Sequence, residues 1–188
     1  MVLKVADGGT GRKVLGLNKV LIGNGSAKIK EFDADGIARQ FSLERRLNVD
    51  TTKVSNVGSG EDDLITYSMP ANTLANNGES VKIDAFGTTA ANGNNKTIKL
   101  YLGSTELTSA TAGTPNDQDW EIVALIIRTG AATGKSIVEY NSNTSSDNTI
   151  NYASLTEDFT TALTIKCTGE GVSNSDIVQE ALLIDLIP

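Results

Sequence analysis

The sequence predicts an all-β chain: an antiparallel two-sheet sandwich preceded by an extended N-terminal arm. Three observations carry this. Short apolar segments between residues 64 and 187 alternate with period two, the pattern of strands that bury one face. The segments are separated by Asn/Gly/Thr clusters such as Asn76-Asn77-Gly78 and Ala91-Asn92-Gly93-Asn94-Asn95, which are turn chemistry. Composition agrees, with 18 glycines and only 5% aromatic residues among 188, and no segment shows a convincing helical period.

The strands are read in order. Leu64–Met69 starts the set and stops at Pro70. Ser80–Gly87 turns Val81, Ile83 and Ala85 inward against Lys82 and Asp84. Thr97–Gly103 repeats this with Ile98, Leu100 and Leu102 against Lys99 and Tyr101. Glu106–Ala110 suits an edge. Trp120–Thr129 is dense in Ile and Val, which suits a central strand buried on both faces. Lys135–Asn141, Leu163–Gly169 and Ile177–Ile187 complete eight strands, with Asn141–Asn148 read as a loop. Eight strands in two antiparallel sheets point to jelly-roll connectivity.

Residues 1–60 are read as an extended, basic docking or oligomerisation arm, and residues 61–188 as an acidic sandwich. The net charge of −7 is divided unevenly. The first 60 residues carry ten Lys/Arg against six Asp/Glu, and the remainder six against seventeen. The boundary falls at Gly58-Ser59-Gly60-Glu61-Asp62-Asp63, where flexible and charged residues meet. Ile37–Leu47 fits two patterns. The favoured one is an extended segment with Ile37, Phe41, Leu43 and Leu47 on one side together with Arg39 and Arg45. The other is a short helix that aligns Ile37 with Phe41 and Leu43 with Leu47 less cleanly. Within the arm, Gly8, Gly9, Gly11, Gly23 and Gly25 bracket one short apolar strand, Val20–Ile22, too small to fold unsupported.

That stretch, with its Gly8-Gly9-Thr10-Gly11 and Leu21-Ile22-Gly23-Asn24-Gly25, resembles a repeat unit of bacteriophage tail-fibre and virion-surface proteins. Tyr67–Ser80, Trp120-Glu121-Ile122, Arg128-Thr129-Gly130 and Asp176–Leu183 are similar to the C-terminal jelly-roll segment of phage virion proteins. The resemblance covers about two-thirds of the chain. It implies a structural role, no catalytic residues, and association as a trimer on the particle exterior.

Catalytic chemistry is sparse. With no histidine there is no Ser-His-Asp or Cys-His system, and a single cysteine rules out a thiolate zinc cluster or a disulfide within one chain. Cys167 sits in the alternating run Leu163, Ile165, Cys167 and reads as a buried small hydrophobe. Gly130-Ala-Ala-Thr-Gly134-Lys135-Ser136 imitates a phosphate loop but is one residue short. The segment Ser136–Tyr140 reads as a strand where that loop needs a helix, so a hairpin turn is expected. Asp33-Ala-Asp35-Gly36 lacks the third ligand of a calcium loop. Glu61-Asp62-Asp63 and Asp117-Gln-Asp119 are acidic enough for a hard cation only if loops converge. No cofactor is expected. Glycoside hydrolysis is disfavoured because aromatic residues are few and Trp120 opens a core strand. The arm's cations are scattered, with only Phe32 and Phe41 as stacking faces, which argues against nucleic acid. No apolar run is long enough to span a bilayer. The start, Met-Val-Leu-Lys-Val-Ala-Asp, has no signal-peptide core, so synthesis in a bacterial host cytoplasm is expected.

The expected role is therefore a non-enzymatic, trimeric capsid decoration (cement) protein whose arm lies on the major capsid protein. The alternative is a tail-fibre or receptor-binding appendage attached to tail or baseplate proteins. Lys4, Arg12, Lys13, Lys19, Lys28 and Lys30 are the candidate contacts to an acidic partner, and Val20, Leu21 and Ile22 the residues buried on docking. For the appendage, Asn92–Asn95 and Asn141–Asn148 are the candidate receptor loops.

Overall fold

A computed structural model describes residues 19–22, 30–33, 44–112, 119–143 and 148–188. The described residues form strands and no helix. The chain divides into a unit of residues 1–44 and a larger one, Arg45–Ile187. In the first, β1 (Lys19–Ile22) pairs antiparallel with β2 (Lys30–Asp33), with Lys19 opposite Asp33 and Ile22 opposite Lys30. The expected short strand Val20–Ile22 lies within β1.

The larger unit contains β3 (Arg45–Asp50), β4 (Val54–Ser55), β5 (Gly60–Met69), β6 (Ser80–Thr89), β7 (Lys96–Leu102), β8 (Thr105–Ala112), β9 (Asp119–Gly130), β10 (Thr133–Ser142), β11 (Thr149–Leu155), β12 (Leu163–Gly171) and β13 (Ile177–Ile187). One sheet runs β11-β10-β9-β6-β13-β3, with β4 also on β13, and the other runs β5-β12-β7-β8. The pairing is nested. β3 pairs with β13, β5 with β12, β6 with β9 and β7 with β8, all antiparallel. A long ribbon rolled on itself gives this order, which is the jelly roll. The β10–β11 hairpin is an addition beyond β9 that widens the larger sheet.

The body begins at Arg45, so the boundary lies upstream of the expected 60/61. Leu47 packs against the core, Asn48 Nδ2 donates to the Leu182 carbonyl at 3.1 Å, and Arg46 pairs with Asp185 at 2.5 Å. These contacts make Arg45–Asp50 a sandwich strand. Arg45, Arg46 and Lys53 thus belong to the body, and residues 1–44 keep seven Lys/Arg against five Asp/Glu, a weaker basic excess than the 1–60 reading gave.

The core lies between the sheets, where Val81, Ile83, Ile98, Leu100, Leu102, Ile122, Ile126, Ile165, Leu182 and Ile184 are fully buried. Trp120 and Cys167 are buried with them. Burial pushes the Cys167 thiol up to about 12, against a weaker pull from Gln179. Cys167 is therefore expected to resist a thiol reagent in the native protein and to react once the chain is unfolded, as a timed labelling assay would show. The Gly130–Ser136 segment is the β9–β10 hairpin, as its spacing predicts. Trp120–Thr129 is central in its sheet, but only its inner face is fully buried; Val123, Leu125 and Ile127 on the outer face are half-buried.

Two bulges face each other across the core. In β13 the register shifts between Gln179 and Ala181, which lets Ile177 and Leu182 both point inward. In β5, Leu64 and Ile65 stand against Cys167 alone and are both buried. The fully buried Gln179 joins the two, accepting from Ile65 N at 2.9 Å and donating to the Ala181 carbonyl at 3.1 Å. Gly87 is required beside this site. A Cβ there would overlap the Val178 carbonyl and sit 2.8 Å from the Trp120 ring. Gly87→Ala is expected to cost about 2 kcal/mol in denaturant unfolding.

Candidate binding surface

The nine candidate arm residues fall in the smaller unit. Lys19, Val20, Leu21 and Ile22 form β1 and Lys30 opens β2, which brings Ile22 and Lys30 into register. Lys4, Arg12, Lys13 and Lys28 lie outside the described residues, as do Ile37–Leu43, Asp35 and Asp117.

In the sandwich, charged groups gather in three places. On the outer face of the smaller sheet, Glu61 accepts from Lys99 Nζ at 2.8 Å, Thr168 Oγ1 at 2.7 Å and Tyr101 Oη at 3.0 Å. Lys166 pairs with Asp63 at 2.5 Å and lies 5.6 Å from the Tyr101 ring centre. The Lys99 ammonium holds the Glu61 carboxyl below its usual range, and Glu61 in turn raises Lys99. Asp62 accepts from Val57 N at 2.8 Å. The acids of Glu61-Asp62-Asp63 are thus engaged within the chain. No group of three or more His, Cys, Asp or Glu residues poised for a metal occurs among the described residues.

The second cluster latches two loops together, β6–β7 and β12–β13. The fully buried Asp176 carboxylate accepts from Asn92 Nδ2 (2.6 Å), Asn94 Nδ2 (2.9 Å), Val172 N (2.9 Å) and Ser173 N (2.8 Å). Burial raises its pKa, but these donors outweigh burial and bring it down to about 2. Lys96, itself buried, donates to the Asn92 and Asn94 carbonyls and to Asn92 Oδ1. Asn92 therefore stands between a buried anion and a buried cation. Of the two candidate receptor loops, Asn92–Asn95 has its Asn92 and Asn94 side chains committed to this latch.

The third place is open. On the outer face of the larger sheet, register brings Phe86 opposite Glu121 and Glu121 opposite Asn141, a row across β6, β9 and β10. The β13 bulge adds Glu180 to the row, where it pairs with Lys53 at 2.6 Å. Thr88, Asp119 and Asn143 form the next row, tied by a bond from Asn143 N to the Asp119 carbonyl at 3.3 Å. Together they line a groove of about 410 Å³. Phe86 is 43% exposed. The other candidate receptor loop begins here, with Asn141 and Asn143 on the groove. Sequence reasoning misses Phe86, Glu121 and Glu180, because only cross-strand register and the bulge bring them together.

No protein-family profile and no curated protein matches this chain. Among solved structures, it is similar to the CBM2 module of the evolved Dit of Lactobacillus casei BL23 phage J-1. The identity is 9% and the TM-score 0.43, over 77% of this chain and 96% of that one. It is also similar to chains of infectious bursal disease virus. The Gt strain gives 14% identity and a TM-score of 0.35, and the VP2 subviral particle 12% and 0.35, each over 93% of this chain. The chain spans about two-fifths of the length of those two, 39% in each case. The fold assignment rests on the strand order itself.

Proposed function

We propose that this chain is a non-enzymatic structural protein of a virus particle's exterior, a trimeric capsid decoration protein. In this reading the N-terminal unit lies on the major capsid protein and the sandwich stands outward. The observation that carries it is the nested jelly-roll ribbon following a separate N-terminal unit of opposite charge balance. Jelly rolls recur as capsid modules. The body, with nine Lys/Arg against eighteen Asp/Glu, suits crowded copies that must repel one another. The resemblance of the glycine-bracketed segment to tail-fibre and virion-surface repeats supports a place on the particle exterior and, taken alone, favours the appendage over the decoration role.

Attachment through Lys13, Lys19 and Lys28 is tested by reversing all three to glutamate. The expected result is weaker retention on particles and a steeper loss of retention with salt. Equal retention at every salt concentration contradicts the docking role of this segment. A second reading, a receptor-binding tail appendage held by tail or baseplate proteins, is favoured by the open groove on the outer face of the larger sheet.

A further inference from the structure

We propose that the groove lined by Phe86, Asp119, Glu121, Asn141, Asn143 and Glu180 binds a neutral oligosaccharide. The inference goes beyond the structural role above and applies to the isolated chain, whether it belongs to head or tail.

Four features of the groove argue for this ligand class. The first is its shape. The row Glu180–Phe86–Glu121–Asn141 crosses three strand spacings, roughly 14 Å, along an open channel that takes an extended chain of rings better than a compact molecule. The second is the exposed Phe86 ring at its centre, an apolar plate on which the C–H face of a pyranose can rest.

The third is the polar equipment. Carboxylates accept from neighbouring hydroxyls, and amides both donate and accept, so Glu121 beside Asn141 matches the mixed pattern of a sugar's hydroxyls. Among the described residues, Asp119, Glu121, Asn141 and Asn143 make no side-chain hydrogen bond or ion pair. This contrasts with Glu61, Asp63 and Asp176, which are tied down within the chain.

The fourth is charge. Three carboxylates and no cation line the groove. Lys53 pairs with Glu180 at its edge, and Lys82, held by Asp84, acts on Glu121 from outside it. The lining therefore turns away phosphates, uronates and nucleic acid. Phe86 also occupies the middle of the row, where a cation site would need another oxygen ligand.

The test is an NMR titration of the isotope-labelled full chain. The probes are neutral hexasaccharides of glucose, galactose, N-acetylglucosamine and rhamnose, with an anionic uronate hexamer and calcium chloride as competitors. At least one neutral probe is expected to shift the amides of Phe86, Glu121 and Asn141. Phe86→Ala is expected to weaken that binding about tenfold. Ile150→Ala, on the exposed β11, is expected to leave it unchanged. Both variants are surface truncations, and their native amide spectra show whether the sandwich is intact. Failure of every neutral probe to move these amides overturns the proposal. So does undiminished binding by Phe86→Ala, or binding of the uronate or calcium alone. The readout needs no particle, so its failure is distinct from failure of the decoration role.

Discussion

Gln179→Met is expected to destabilise the sandwich by about 4 kcal/mol. Methionine matches glutamine in length and fills the same space, so the loss reports polar satisfaction and leaves volume aside. Gln179 is the one side chain seen to serve both bulges, taking the Ile65 amide of one sheet and the Ala181 carbonyl of the other. Ile65 has no register partner of its own in the β5 bulge, and Ala181 stands directly after the unpaired Glu180 of the β13 bulge. Each orphaned buried group costs about 1–3 kcal/mol, and here two are orphaned together. The midpoint of urea unfolding should fall sharply while the slope stays constant. An unchanged midpoint would mean that water or a backbone shift replaces the amide.

Asp176→Ala is expected to cost a similar amount, about 4 kcal/mol, and to do so unevenly along the chain. Four N–H donors lose their acceptor, two of them from the backbone of the 172–173 turn. Asn92 and Asn94, which also accept from the buried Lys96, would lose their tie to the 172–176 loop. Amide exchange should accelerate first around Asn92–Asn94 and Val172–Ser173, ahead of the core strands.

The same carboxylate gives an acid signature. Its folded pKa of about 2 lies below the ordinary aspartate value of 3.8, so its stabilisation is complete above that value and is lost as the pH falls toward 2. Asp176→Asn should remove this part of the acid dependence. An identical acid profile in the variant would contradict the latch.

Much of the body is legible in the sequence because alternation and burial coincide. Val81, Ile83 and Ala85 point inward, as do Ile98, Leu100 and Leu102, each set on one period-two face. The β11 strand is hidden because its pattern is inverted. Ile150 and Tyr152 are 70% and 65% exposed, while Asn151 turns toward the neighbouring sheet and donates to Thr108 Oγ1 at 2.7 Å. Periodicity cannot recognise a strand whose large apolar residues face out. β3 reads as part of the arm because its two arginines and few apolar residues look solvated; pairing with the last strand makes it structural.

The groove is not legible in the chain at all. Its residues lie on four strands, from Phe86 to Glu180, and Glu180 enters through a bulge that no composition signal marks. The buried latch is half visible. Asn92 and Asn94 have the look of loop chemistry, but their partner lies more than eighty residues on, at Asp176.

The central claim, a decoration protein of the capsid, is tested most directly by the number of copies of this chain per purified particle. Quantitative mass spectrometry against the major capsid protein supplies it. Decoration of a head lattice predicts copies in stoichiometric ratio with the capsid protein, on the order of hundreds per particle. A few to a few tens would contradict decoration and place the chain on a tail or vertex, and none would contradict a virion role altogether.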